Sequence, residues 1–211
     1  MRELAVHGST LLGSSTMARM LRRRYATQAV ALSPRSAIEA TPIRSRLYSA
    51  CESVFGEVGV LVNNHTYCVM ETFDPDRLSS DGIPVRLPTP ASIDAHFRVN
   101  ARAYARSMAE YVARYGKRGW SRIINISTDA AHAHVANISY AASKHAIEYY
   151  TRSAAAELGG YGITVNAVAP GPVQTGYIEP DLEAQIVEGT PLGRVGYPED
   201  IADSVVFLAS E

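Results

Sequence analysis

Short apolar runs that alternate with helix-length stretches constrain this chain more than any other feature. Leu4-Ala-Val-His7, Gln28-Ala-Val-Ala-Leu32, Val58 to Val62, Arg122 to Thr128 and Ile163 to Gly171 read as strands. Met17 to Tyr25, Pro42 to Phe55 (closed by Gly56), Ala91 to Tyr115 and the stretch from Ser139 to Leu158 read as helices, followed by Tyr177 to Val187 and Pro198 to Ser210. Strands that alternate with helices pair in parallel, because each return to the sheet needs a crossover of a dozen or more residues. The expected architecture is α/β, a doubly wound, mostly parallel sheet with helices on both faces. Its 211 residues suit one such domain, spanning 1–211.

The charge pattern excludes several partners. A formal net charge of −1 gives no electrostatic reason to expect nucleic acid or an anionic membrane, and the one basic run, Arg22-Arg-Arg24, sits in a helical stretch as a solvated face. Cys51 and Cys68 make neither a disulfide framework nor a metal-ligand spacing. There is no signal-peptide pattern at the N-terminus and no apolar run near about 18 residues, so the expected location is cytoplasmic, without a membrane partner.

The chain start has a nucleotide-binding logic. Strand, glycine-bearing turn (Gly8-Ser-Thr-Leu-Leu-Gly13), helix and strand follow one another. Glycine lets the backbone approach a pyrophosphate, and the helix N-terminus offers free N–H groups to its oxygens. This is the start of a Rossmann-like unit.

The chemistry concentrates in Tyr140-Ala-Ala-Ser-Lys144, on the long helical stretch. Four residues apart, Tyr140 and Lys144 share a helix face. An ammonium beside a phenol favours phenolate and would draw the Tyr pKa down from about 10 towards the range of a general acid or base. A Tyr-x3-Lys pair alone is common on helix surfaces. Here it lies between the strands Arg122-Ile-Ile-Asn-Ile-Ser-Thr128 and Ile163-Thr-Val-Asn-Ala-Val-Ala-Pro-Gly171. Together these segments resemble the short-chain dehydrogenase/reductase family. The match runs from about Leu61 to Glu211, with a weaker one over residues 4–32.

The resemblance implies an NAD(P)-dependent oxidoreductase transferring hydride between nicotinamide and a ketone or secondary alcohol. It assigns Tyr140 as proton donor, Lys144 as the cation that tunes it and bonds the nicotinamide ribose, and Asn100, in Phe97-Arg-Val-Asn100, as the anchor of a proton-relaying water. A strand-end hydroxyl holds the substrate oxygen. Strand register makes it Thr128; the usual spacing back from Tyr140 makes it Ser127. Their side chains face opposite ways, so only one can serve.

On the cofactor side the resemblance implicates Gly8, Ser9, Thr10 and Gly13, although His7 replaces a Thr, one residue is inserted and Ser15 stands where a third glycine belongs. It also implicates Asn64 of Asn63-Asn64-His65-Thr66, where the family pattern is Asn-Asn-Ala-Gly and the bulkier His65 and Thr66 would narrow the groove. Pro170, Gly171, Val173 and Thr175 match a Pro-Gly-x3-Thr stretch that holds the carboxamide and pyrophosphate. After Leu32 no carboxylate is present to bond a ribose, and Arg35 favours the 2′-phosphate form, NADP, over NAD.

The departures matter as well. Only Ser36 to Thr41 stands where members have a helix and third strand, so either that strand is lost or residues are missing between Leu32 and Ile38. Members continue past Glu211 with a last strand and glycine-rich tail, which makes a truncated chain the simplest account. The 67–90 loop is longer than usual and is read as a candidate lid. His132 and His134 alternate in the loop before the catalytic helix. With no third ligand nearby in sequence, they are read as pocket-lining or exposed histidines and not as a metal site.

The closing Pro191-Leu-Gly-Arg and Phe207-Leu-Ala-Ser-Glu211 segments resemble the 3-oxoacyl-carrier-protein reductase branch, which implies a small carbonyl substrate and a homodimer or homotetramer. One rival is a degenerate nucleotide-binding scaffold without turnover. A second, a cofactor-free carbon–halogen enzyme of related fold, carries Arg where Lys144 stands here.

Overall fold

The computed structural model describes residues 29–32, 48–53, 56–79, 82–117, 119–132 and 135–211. The glycine turn with Gly8, Ser9, Thr10 and Gly13, the strand read at 4–7, the remnant at 36–41, and Arg35 and His134 lie outside these residues.

Four strands form one parallel sheet in the order β1 (Ala29–Leu32), β2 (Val60–Asn63), β3 (Ser121–Ile126) and β4 (Ile163–Val168). β1 lies directly beside β2, with Ala29 opposite Val60. The classic doubly wound order gives that place to the first strand of the unit. Gln28–Leu32, read from sequence as a second strand, therefore has a different neighbour from the one expected. Residues 33–59 connect the pair and include a helical segment at 48–53, which is length enough for a parallel crossover.

Alternation along the strands splits the core between two faces. Val60, Val62, Ile124 and Ile126 pack with Val173 beneath α5 (Pro198–Leu208), against its Ala202, Val205 and Val206. Leu61, Ile123, Ile163 and Val165 face the other way. They meet Tyr48 and Cys51 of the 48–53 segment, Met108 and Tyr111 of α2 (Ala103–Ala113), and the end of α3 (Ile138–Leu158). Helices thus cover both faces, the layered α/β arrangement the alternating pattern implies.

The helix expected over 91–115 is continuous but not uniform. α1 (Pro90–His96) starts at a capping box between Thr89 and Ser92, passes into a π-helical turn at Phe97–Arg102 and resumes as α2. α4 (Pro180–Glu188) begins three residues later than its sequence reading. Pro180 sits at the first helical turn and biases Glu179 to extended backbone, so Tyr177 stays outside the helix. No helix among the described residues is long and apolar enough to cross a membrane.

Candidate functional site

The site lies where β2, β3 and β4 end and α3 begins, at the carboxyl edge of a parallel sheet. α3 turns Tyr140, Ser143 and Lys144 inward, and Lys144 is 2% exposed. Thr128 follows β3 in extended conformation and caps the 3-10 turn Asp129–Ala131, its Oγ1 accepting from the Ala130 N–H at 3.3 Å. The Thr128 and Thr66 hydroxyls lie close enough to the Tyr140 phenol to act on its pKa. Ser127 points elsewhere: its Oγ donates to Glu148 Oε1 at 2.9 Å, about two turns along α3 from Tyr140. Of the two hydroxyls sequence left open, Thr128 is the one at Tyr140.

Asn100 sits in the π-helical turn, a distortion that concentrates at functional sites because it re-aims a side chain within a helix. Its Nδ2 donates to the Tyr67 carbonyl at 2.7 Å and to Ser143 Oγ at 3.0 Å. Its Oδ1 accepts from the Tyr67 N–H at 2.7 Å and from Thr66 Oγ1 at 3.4 Å. These partners use both donors and both lone pairs of the amide. The water-anchoring role implied by the resemblance finds no free capacity on this side chain. Asn100 instead clamps the 66–67 backbone to α3.

The electrostatics correct the expectation that Lys144 acidifies Tyr140. Lys144 Nζ donates to the Ile126 carbonyl at 2.7 Å and to Tyr104 Oη at 3.2 Å. Burial drops its pKa to about 7. Tyr140 moves the opposite way, pushed up to about 12 by burial and secondarily by the Cys68 thiolate charge, with the Thr128 and Thr66 hydroxyls pulling weakly down. The two side chains share a helix face, but Lys144, titrating near 7, carries no charge where the phenol titrates, so desolvation sets the direction for Tyr140. The phenol is held protonated.

On the cofactor side, Asn64 is half-buried directly after β2. Pro170 accepts from the Asp129 N–H at 3.0 Å, which ties the β4 exit to the Thr128 turn. Gly171 lies so close that a Cβ there would stand 3.3 Å from Asp129 Oδ2. Val173 is buried and bridges in parallel to Gly196, while Thr175 is exposed. The Tyr177 phenol lies near enough to the Val173 backbone for that backbone to act on its pKa. One observation fits a nicotinamide nucleoside at this edge: the Lys144 ammonium has a third N–H beyond its two protein bonds. The pyrophosphate half would fall on residues outside those described.

Several participants have no sequence signal that singles them out. Thr66, read as a groove-narrowing departure, supplies a hydroxyl to Tyr140. Tyr104, buried on α2, donates to the His65 and Ile126 carbonyls at 2.8 and 3.1 Å and packs its ring 4.2 Å from that of His65. Cys68 is exposed as a residue, yet its thiol faces inward enough for desolvation to push it up to about 11, and it lies close enough to shift both Tyr140 and Tyr177. Glu71 is fully buried with both carboxylate oxygens unpartnered. The 67–90 loop is tied down: Glu71 bridges to Asn137, and the Thr72 and Val85 N–H groups donate to the Arg86 and Arg77 carbonyls. The reading that His132 has no companions also needs correction, because the fold brings His145 and Glu148 beside it. Their i,i+3 spacing on α3 was the signal that could have found them.

Residues 44–211 match the family model described as enoyl-(acyl carrier protein) reductase. The chain is 32% identical over 159 residues to the uncharacterized oxidoreductase YjdA of Bacillus subtilis, covering 74% of this chain and 59% of that protein. It is 46% identical over 99 residues to the 3-oxoacyl-(acyl-carrier-protein) reductase FabG of Pseudomonas aeruginosa, covering 45% and 40% of the two chains. Against a cyclohexanol dehydrogenase of a Rhodococcus species it is 41% identical over 97 residues, covering 43% and 36%. The chain spans less than two thirds of the length of these relatives. With the family model matched over most of its length and the parallel sheet carrying the Asn100, Thr128, Tyr140 and Lys144 constellation at its carboxyl edge, the chain belongs to the short-chain dehydrogenase/reductase family.

Proposed function

We propose that this protein is an NAD(P)-dependent oxidoreductase acting between a ketone and a secondary alcohol, with a 3-oxoacyl-thioester-like carbonyl as its substrate class. The observation that carries the reading is the buried Tyr140 phenol near the Thr128 and Thr66 hydroxyls, with buried Lys144 one turn along the same helix. The nicotinamide, when bound, supplies or accepts the hydride.

Everything else falls to the protein. Thr128 holds the substrate oxygen, and Tyr140 delivers a proton to that oxygen as negative charge develops on it. A phenol pushed up to about 12 is an acid in the reduction direction. Lys144 offers its remaining N–H to the ribose, and with a pKa near 7 it can return a proton to the site. Asn64, Pro170, Gly171, Val173 and Thr175 would line the nicotinamide side. Gly8, Ser9, Thr10 and Gly13 would take the pyrophosphate, and Arg35 favours NADP over NAD. A cytoplasmic homodimer or homotetramer completes the reading.

The test is Tyr140→Phe assayed with NADPH and a panel of 3-oxoacyl thioesters and cyclic ketones. The expected result is a loss of about 10²–10⁴-fold in kcat/KM with cofactor binding retained. Near-wild-type turnover in the variant would overturn the assignment of Tyr140. Cofactor binding by the wild-type chain without turnover of any carbonyl would favour the scaffold instead.

A further inference from the structure

On the side of β3 where Ser127 points, away from the Tyr140 hydroxyl, three metal-ligating side chains converge. His145 and Glu148, one helical turn apart, project from the same face of α3. His132 follows the 3-10 turn that Thr128 caps. One ligand atom from each of the three lies within 4.8 Å of the others. The imidazoles stand edge to face, their centroids 6.3 Å apart. Around a single zinc ion at about 2.0–2.2 Å, ligand atoms sit roughly 3.4 Å apart. Both histidines are exposed and free to rotate through the difference.

Glu148 is the fixed point. It is 8% exposed, and its Oε1 accepts the Ser127 hydroxyl at 2.9 Å. That bond orients the carboxylate in the way that supporting hydrogen bonds orient metal ligands elsewhere. Among the described residues its ion-pair partner is Arg152, which approaches Oε2 only to 3.8 Å from a largely exposed position, and an ion pair of that kind contributes little. A chance surface grouping would not be expected to pair two mobile imidazoles with a buried, pre-oriented carboxylate.

We propose that His132, His145 and Glu148 form a binding site for a divalent transition metal of the zinc class. Two neutral imidazoles and one carboxylate suit zinc, cobalt or nickel over magnesium or calcium, which prefer all-oxygen shells. Three protein ligands leave a fourth position to water. The bound ion would tie the Asp129–Ala131 turn to α3 and so fix the residue that caps that turn, Thr128, relative to Tyr140. The binding claim does not depend on the redox reading: none of its three ligands has a part in hydride or proton transfer, and it is measured without a nicotinamide cofactor.

The experiment is a zinc chloride titration of the chelator-stripped chain in competition with a chromogenic chelator, together with its thermal melting. Saturation at one zinc per chain is expected, with a raised Tm. His132→Ala and His145→Ala should each weaken binding more than tenfold, and Ser127→Ala, which removes no ligand, about tenfold. Failure to saturate by millimolar zinc would overturn the proposal, as would unchanged affinity in the His132→Ala/His145→Ala double variant. Cobalt loading of the wild-type chain needs no variant to fold: visible d–d bands at one equivalent are expected, and their absence counts against the site.

Discussion

Lys144 reaches from the first turns of α3 to the last residue of β3, placing its Nζ 2.7 Å from the Ile126 carbonyl oxygen. The same nitrogen lies over the ring of Tyr104, 5.1 Å from its centroid. These contacts fix the cation at the strand end but do not offset its desolvation, and its pKa falls to about 7. In the unfolded chain it titrates near 10.4. Between those values the unfolded state binds more protons, so stability rises with pH across this window and the contribution is lost as pH falls through about 7. Lys144→Met should flatten the rise. Urea midpoints of both proteins from pH 6.5 to 9.5 check this, and parallel curves would contradict it.

The two neighbouring hydroxyls should separate in kinetics. Thr128→Ala removes the substrate-side hydroxyl beside Tyr140, and kcat/KM should fall about 10²-fold, the usual effect of losing one pre-positioned donor. Ser127→Ala should cost at least tenfold less, because that hydroxyl faces Glu148. Steady-state rates with one ketone decide it; the reverse ranking would place Ser127 at the substrate.

Asn100→Ala should destabilise the fold by about 1–3 kcal/mol, because the part-buried Tyr67 N–H and carbonyl both lose their partner. Chemical denaturation measures the loss. A change within about 0.5 kcal/mol, the range of an ordinary surface substitution, would show that the clamp contributes nothing.

Gly162 closes the turn between α3 and β4 with φ at 76°, and a Cβ there would stand 2.0 Å from the Gly119 carbonyl oxygen. Gly162→Ala combines left-handed strain with a clash against backbone that has no flexible end to yield. Destabilisation beyond about 2 kcal/mol is expected, read as a lowered denaturant midpoint; an unchanged midpoint would mean the turn rearranges freely.

Much of the fold was legible because its signals are local and periodic. The Ile123–Ile126 alternation and the breaker-poor run from Ile138 to Leu158 gave β3 and α3 their places, and the strand register pointed to Thr128. The electrostatics were not legible, because a pKa depends on burial. Helix spacing places Lys144 beside Tyr140 but does not show that the Nζ turns to Ile126 or that the phenol is desolvated. Thr66 and Cys68 were missed because they act from the irregular backbone after β2, whose path is set by Asn100 from a distant helix. The grouping of His132 with His145 and Glu148 likewise depends on how the turn after β3 folds back on α3.

A carboxyl edge built in this way should receive a reduced nicotinamide dinucleotide. Titrating the wild-type chain with NADPH and with NADH, while following reduced-nicotinamide fluorescence, tests it most directly. Saturable enhancement with both, at lower concentration for NADPH, is the expected result, and absence of a saturable change with either dinucleotide would contradict the account.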